Sequence, residues 1–444
     1  MKFDDLKNPP LSRTTPASEG KIVQPASLSI KRNMLWNSFG SLVYLGCQWL
    51  VTVLVARLSF GYDSAGVLAI AMAVSNVFAP IALFKIRAYQ VSDVQGKMSS
   101  GEYIAFRFLT ITGACVIIAL YVALTCKPET FLPVALYLAF RGGDIFIDVL
   151  HGIDQQNYRM DYCGKSLGIR GILFLAAFTA VFGLTNNLSL ALAAMICVTY
   201  PVIAYDIRQA RRFEPLRPKI SASSAKNLAR ECLPAVLGTV CFMAVTSIAR
   251  QMLGSTHGEE ALGIYASVCT PAVIIQAGAD YIYIPLLRLF AERYHNKQAE
   301  EFRSLFLKVT FAILALLVVC LIGFFLFGRT LLTLAFGPSI VPYAYLLYPA
   351  LVCVVLTAYV EFLGDLLIAV RMMRGNLIGN AIALVFSIPC SVICISIWDM
   401  NGVSFSISAC YLLASAIMIF LLVKRTANHF KSSDSSRSTK DHKL

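Results

Sequence analysis

Three ionisable residues, Arg141, Asp144 and Asp148, interrupt the otherwise apolar stretch 131–150. Spacings of three and four place them on one face of a helix. A charge at membrane depth costs about 2.5–3.5 kcal/mol on insertion scales, so such residues must face a cavity or a partner. Two chemistries fit. Arg141, near the middle of the stretch, binds an anion while the acids tune it or carry protons; or Arg141 and Asp144 form a structural ion pair. Arg57 and Arg250 close two other apolar stretches at matching places. They either draw in an anionic headgroup as a basic pair or snorkel to the interface. Arginine suits a phosphate because its planar fork donates two parallel hydrogen bonds and stays charged. Asp280, four residues after Gln276, and Glu361 are further carboxylates inside apolar stretches. A buried carboxylate is neutralised by a proton or a cation, so Asp144, Asp148, Asp280 and Glu361 are the candidates for ion coupling, each with a single structural hydrogen bond as the plainer alternative. The histidines fall outside the middles of the stretches, and no histidine relay is expected. Asn37, Gln48 and Asn76 read as helix–helix hydrogen-bonding residues.

The elements that carry these residues are set by composition. The chain has 444 residues, 57% hydrophobic and 14% charged. A soluble domain is nearer a quarter charged, so the apolar excess must face lipid. Apolar runs occur at 35–56, 64–84, 108–126, 131–150, 170–184, 189–206, 232–253, 261–287, 305–327, 343–370, 377–397 and 402–423. Each is continuous rather than alternating and near the length that crosses a bilayer as a helix. The expected fold is an all-α polytopic membrane protein with about 12 transmembrane helices. With the N-terminus inside, 33 of the 38 Lys and Arg fall in inner segments, as the positive-inside rule requires. This predicts a multi-pass protein with both termini cytoplasmic and no soluble catalytic domain in its short loops.

The long basic segment 206–234 divides the spans six and six. The expected organisation is a disordered tail 1–34, a six-helix bundle 35–206, a basic linker 207–231, a second six-helix bundle 232–423 and a disordered tail 424–444. The tail 1–34 holds Pro9, Pro10, Pro16 and Pro25 and reads as preceding an uncleaved first span. The halves echo each other: Ala56-Arg57 with Ala249-Arg250, Gly66-Val67-Leu68-Ala69 with Gly263-Ile264-Tyr265-Ala266, and Glu102-Tyr103 with Glu301-Phe302. Asp144/Asp148 and Glu361/Asp365 recur at an offset of 217. Six spans per half predict repeats of the same orientation, a known transporter plan.

Other chemistries are poorly supported. The net charge of +13 is spread through short connecting segments, which speaks against nucleic acid. The 13 cysteines show no zinc spacing and read as small packing residues. Gly164-Lys165-Ser166 ends like a phosphate-binding loop, but the earlier glycine is replaced by Arg159. No serine-hydrolase, metalloprotease or sugar-nucleotide motif occurs. Neither an enzyme nor a cofactor or metal is expected.

The stretch Lys85-Ile86-Arg87-Ala88-Tyr89-Gln90-Val91-Ser92-Asp93-Val94, followed by Gly96, Ser99, Glu102-Tyr103 and Arg107, resembles the loop between the second and third spans of bacterial polysaccharide flippases. These form the lipopolysaccharide-biosynthesis branch of the multidrug/oligosaccharidyl-lipid/polysaccharide exporter superfamily. The opening Arg32-Asn33-Met34-Leu35-Trp36-Asn37 and the Ala-Arg…Ala-Gly pattern at 56–66 are similar as well. The resemblance implies two bundles around a basic central cavity, working by alternating access in the bacterial inner membrane. It implies a lipid-linked oligosaccharide on undecaprenyl diphosphate as substrate, a proton or sodium gradient as drive, and glycan polymerases as partners. By position in the spans it places the cavity cations at Arg57, Arg141 and Arg250. The rivals are an ion-coupled multidrug exporter of the same superfamily and a membrane-embedded glycan polymerase.

Overall fold

The computed structural model describes residues 27–58, 63–336 and 338–441. They form helices joined by short turns, with no strand among them. Apolar side chains exposed in numbers along the helices, such as Leu120, Leu124, Phe325 and Val385, mark the lipid-facing surfaces. Eleven helices among the described residues are long and apolar enough to cross a membrane. The expected span at 261–287 is met by the limb of a longer helix that follows a break at Gly258.

The chain divides into two compact units, Met1–Arg230 and Glu231–Leu444. The first contains α1 (Ile30–Leu58), α2 (Asp63–Leu83), α3 (Ile86–Val91), α4 (Ser100–Thr125), α5 (Phe131–Gln156), α6 (Met160–Thr185) and α7 (Leu188–Ala210). The second is built on α8 (Ala222–Tyr283), which starts just before the boundary, then α9 (Leu287–His295), α10 (Ala299–Phe336), α11 (Leu347–Ala369), α12 (Met373–Trp398) and α13 (Asn401–Asp441). Gly258, at φ +85°, splits α8 into two limbs. Only a residue without Cβ takes that conformation at no cost.

The repeat inferred from sequence has a backbone signature. Tyr158, between α5 and α6, and Arg371, between α11 and α12, both have positive φ. Each is followed by a residue of nearly identical geometry, Arg159 at φ −123°, ψ 51° and Met372 at φ −118°, ψ 56°. Asn186 after α6 is matched by Asp399 after α12, and Gly96 before α4 by Lys297 before α10. The turn from α5 to α6 and the turn from α6 to α7 each lie 213 residues before their counterparts. This corrects the register read from the acid pairs. Asp148 corresponds to Glu361, and the offset of 217 was long by one helical turn.

Three further expectations are revised. Helix α6 starts at Met160, ahead of the expected span 170–184, so Lys165 lies inside it and Arg170 well within it rather than at its start. Arg107 likewise lies inside α4. Helix α13 continues to Asp441, across the stretch expected to be an unstructured tail. There His429 stacks on Tyr294 of α9 at 4.2 Å and Phe430 packs beside it, which anchors the first turns. The expected tail 1–34 falls mostly outside the described residues; α1 already begins at Ile30.

In the first unit the closest packing is α1 against α6. A Cβ on Gly40 would lie 2.1 Å from the carbonyl oxygen of Gly164, and one on Gly164 would lie 2.1 Å from that of Trp36. Small residues let the two backbones touch, the usual means of helix association in lipid. Tyr44, Phe140, Phe174 and Phe178 continue this core around the buried charges.

Candidate functional site

Asp144 is the hub of a cluster contributed by three helices. Tyr44 of α1 donates its hydroxyl hydrogen to Oδ2, Arg141 donates from Nη1 at 3.1 Å, and Arg170 of α6 donates from Nη1 to Oδ1. Gln48, one turn along α1, donates to the Tyr44 hydroxyl at 3.4 Å. The Arg170 guanidinium also lies over the Tyr44 ring, 5.1 Å from its centroid. Two guanidinium groups on one carboxylate leave a local excess of one positive charge. The two arginines differ in what they have left. Arg170 is 3% exposed, whereas Arg141 is 26% exposed and uses only Nη1. Arg141 therefore keeps donors for another anion.

Asp148, one turn further along α5, is held by two other arginines. Arg87 of α3 reaches Oδ1 at 3.2 Å and Arg107 of α4 reaches Oδ2 at 2.9 Å. Arg107 is fully buried, and its Nη1 also donates to the carbonyls of Ala82 and Leu83 at 2.9 and 2.6 Å. Those carbonyls are left over where α2 ends, since the last turn of a helix has no intrahelical donor for them. Arg87 adds Gln155 at 3.2 Å. Asp148 and Arg107 thus join α2, α3, α4 and α5.

The second unit binds its acids differently. Gln276, on the limb of α8 after Gly258, donates to Glu361 of α11 at 2.9 Å. Tyr283 donates to Asp365 at 3.4 Å. Asp280 lies between Gln276 and Tyr283 on the same limb, half-buried. An amide and a phenol stand here where the first unit has guanidinium groups.

The three arginines proposed as anion ligands lie on three different helices, α1, α5 and α8. Arg141 is in the Asp144 cluster. Arg250 is exposed on the first limb of α8. Arg57 lies in the last turn of α1, and its side chain is outside the described residues. Sequence alone does not single out Arg107 and Arg170, which stand at the edges of the apolar runs 108–126 and 170–184. Among the described residues no group of His, Cys, Asp and Glu is arranged to hold a metal ion.

No protein-family model matches the chain. Solved structures resemble it over nearly its whole length. The Vibrio cholerae MATE transporter VcmN in its bent form covers 90% of this chain and 97% of its own, with a TM-score of 0.75 at 14% identity. The chain has the fold of MATE transporters. An outward-facing multidrug-resistance MATE transporter of the MOP superfamily gives 0.73 at 14% identity, covering 91% of this chain and 97% of its own. A MOP-superfamily transporter from Pyrococcus furiosus, described as having a binding pocket of reversed polarity, gives 0.72 at 15% identity, with 90% and 97% covered. Among curated proteins, the Staphylococcus aureus capsular polysaccharide biosynthesis protein CapF is 26% identical over 303 residues, 66% of this chain and 73% of CapF.

Proposed function

We propose that this protein is a flippase that moves an undecaprenyl-diphosphate-linked oligosaccharide from the cytoplasmic to the outer leaflet of a bacterial inner membrane, by alternating access, for surface polysaccharide biosynthesis. The observation that carries this reading is the Arg141–Asp144–Arg170 cluster. It holds one positive charge in excess, and Arg141 keeps unused donors on a partly exposed side chain. A diphosphate is the group such a site attracts, through charge-assisted and bidentate hydrogen bonds. Arg57 and Arg250 serve as further cationic contacts for the headgroup, while the prenyl chain stays in lipid. The similarity to CapF points the same way, toward a glycan. A proton or sodium gradient drives the cycle through Glu361 and Asp280, whereas Asp144 and Asp148 are committed to arginines. The termini lie in the cytoplasm, and glycan polymerases are the expected partners.

The test is flipping of a fluorescent prenyl-diphosphate sugar in proteoliposomes. Arg141→Gln is expected to cut the rate at least about tenfold, the loss of one hydrogen bond to a charged group. Unchanged flipping with normal folding of Arg141→Gln, Arg57→Gln and Arg250→Gln overturns the anion-clamp reading.

A second reading, an ion-coupled multidrug exporter, draws support from the carboxylates Asp280, Glu361 and Asp365 gathered in the second unit. Gradient-dependent efflux of a cationic dye, with no flipping of the diphosphate lipid, would select it.

A further inference from the structure

Beyond Asp148, the last two turns of α5 carry a second polar cluster, shared with α6 and α7. His151 Nε2 lies 3.7 Å from Oδ1 of Asp206 on α7. Ser166 of α6 donates to the other oxygen, Oδ2, at 2.7 Å. The Cys163 thiol lies 3.7 Å from the carbonyl oxygen of His151 and 3.9 Å from Asp154 Oδ2. His151 is 3% exposed, and Asp154 and Asp206 are both 0% exposed. Three of their polar atoms, His151 Nε2, Asp154 Oδ1 and Asp206 Oδ1, make no hydrogen bond.

Among the described residues no arginine touches either carboxylate. The cations that reach Asp154 through space are Arg87 and Arg159, and those that reach His151 are Arg87 and Arg170. Each is spent elsewhere: Arg87 on Asp148, Arg170 on Asp144, and Arg159 on Asp161 at 2.8 and 3.0 Å. Hydrogen bonding to Asp161 raises the pKa of Arg159, in the connection between α5 and α6, so that guanidinium stays charged. Asp161 adds a third negative charge near Asp154. Gln90 of α3 closes the remaining side, its buried amide packed on Gly152. Tyr205 of α7 and Lys165 of α6, the latter partly exposed and 3.7 Å from Asp161, complete the titratable surroundings.

Two buried carboxylates and one imidazole without a contacting arginine cannot all stay ionised, because an unpaired buried charge costs many kcal/mol. Three orphaned polar atoms are also the number that one buried water satisfies. We propose that His151, Asp154 and Asp206 form an internal hydrated-proton site, which takes up and releases a proton toward the basic connections at the ends of α5 and α7. In each exchange the proton leaves a carboxyl oxygen of Asp154 or Asp206 for the bound water and passes to solvent, with no other bond made or broken. For its use in transport this inference rests on the reading of the protein as ion-coupled; the site itself does not.

The test is infrared spectroscopy of the full-length protein in phosphatidylethanolamine–phosphatidylglycerol bilayers. A deuterium-sensitive component of the protonated-carboxyl band is expected that fades as pH rises, is absent in Asp154→Asn or Asp206→Asn, and fades at a different pH in His151→Gln. A wild-type spectrum without a pH-dependent carboxyl band overturns the proposal whether or not the variants fold. So does a pH-dependent band that neither Asp154→Asn nor Asp206→Asn diminishes, or displacement of the component these variants remove when potassium chloride is replaced by sodium chloride, which would make the occupant a metal cation. No substrate is needed, so failure here leaves the flippase reading standing, and failure of Arg141→Gln to slow flipping leaves this site standing.

Discussion

Asp148 in the first unit and Glu361 in the second hold corresponding places, fixed by the matching turns at Tyr158 and Arg371. Their surroundings have diverged. Asp148 is gripped by Arg87 and by the fully buried Arg107, whereas Glu361 receives an amide hydrogen from Gln276. A carboxylate between two guanidinium groups is a fixed charge. One that faces an amide can change its protonation or exchange a cation without leaving a buried arginine unpaired. Corresponding places in the two units thus hold a carboxylate fixed by guanidinium groups in one and a carboxylate that accepts from an amide in the other, and the ion-coupling role proposed for Glu361 builds on that difference.

The strongest way to break this contrast is to remove Arg107. Arg107→Met leaves Asp148 with Arg87 alone and the carbonyl of Leu83 without its guanidinium donor, while Thr110 still serves Ala82, and thermal unfolding in detergent should show a loss of about 3–5 kcal/mol. The double variant with Asp148→Leu should recover most of it, since an apolar pair often replaces a buried ion pair at little cost. A destabilisation that persists in the double variant would mean that the carbonyl contacts matter more than the ion pair.

Glu361→Gln should do the opposite. Folding should change by less than about 1 kcal/mol, while gradient-driven transport in proteoliposomes is lost and downhill exchange continues. Asp148→Asn is the matched control, expected to lose about 1–3 kcal/mol of stability by stranding two guanidinium groups. If the two variants behave alike, the contrast between the halves fails.

Smaller effects sharpen the picture. Tyr44→Phe removes one of the three donors to Asp144, and the thermal midpoint should fall by the equivalent of about 0.5–1.5 kcal/mol. Gln276→Arg carries the first unit's pattern into the second. It should alter stability by no more than about 1 kcal/mol yet abolish the dependence of transport on the ion gradient.

Much of the architecture was legible in the sequence because lipid imposes a length and a composition on every span. The two-fold repeat was also visible, although its register could not be read from acids that recur on neighbouring turns of a helix. The site was harder. Arg107 and Arg170 looked like loop residues because a hydropathy window ends where charge begins, but α4 and α6 extend past that point and bury their charges against α2 and α5. His151 was set aside for the same reason, and its partner Asp206 lies 55 residues away. Contacts such as Tyr44 with Asp144, 100 residues apart, leave no trace in spacing. Only the pair Arg141 and Asp144, within one helical turn, was open to inference, and the ion pair is present.

The contact between Gly40 and Gly164 limits how the first unit can move. With backbone against backbone and no space for even a methyl group, α1 cannot slide or roll on α6 without collision. The two close-packed helices together carry Tyr44 and Arg170, the partners of Asp144 from outside α5. A methyl wedge such as Gly40→Ala would spread the two helices and disturb the arginine cluster from more than a helical turn away.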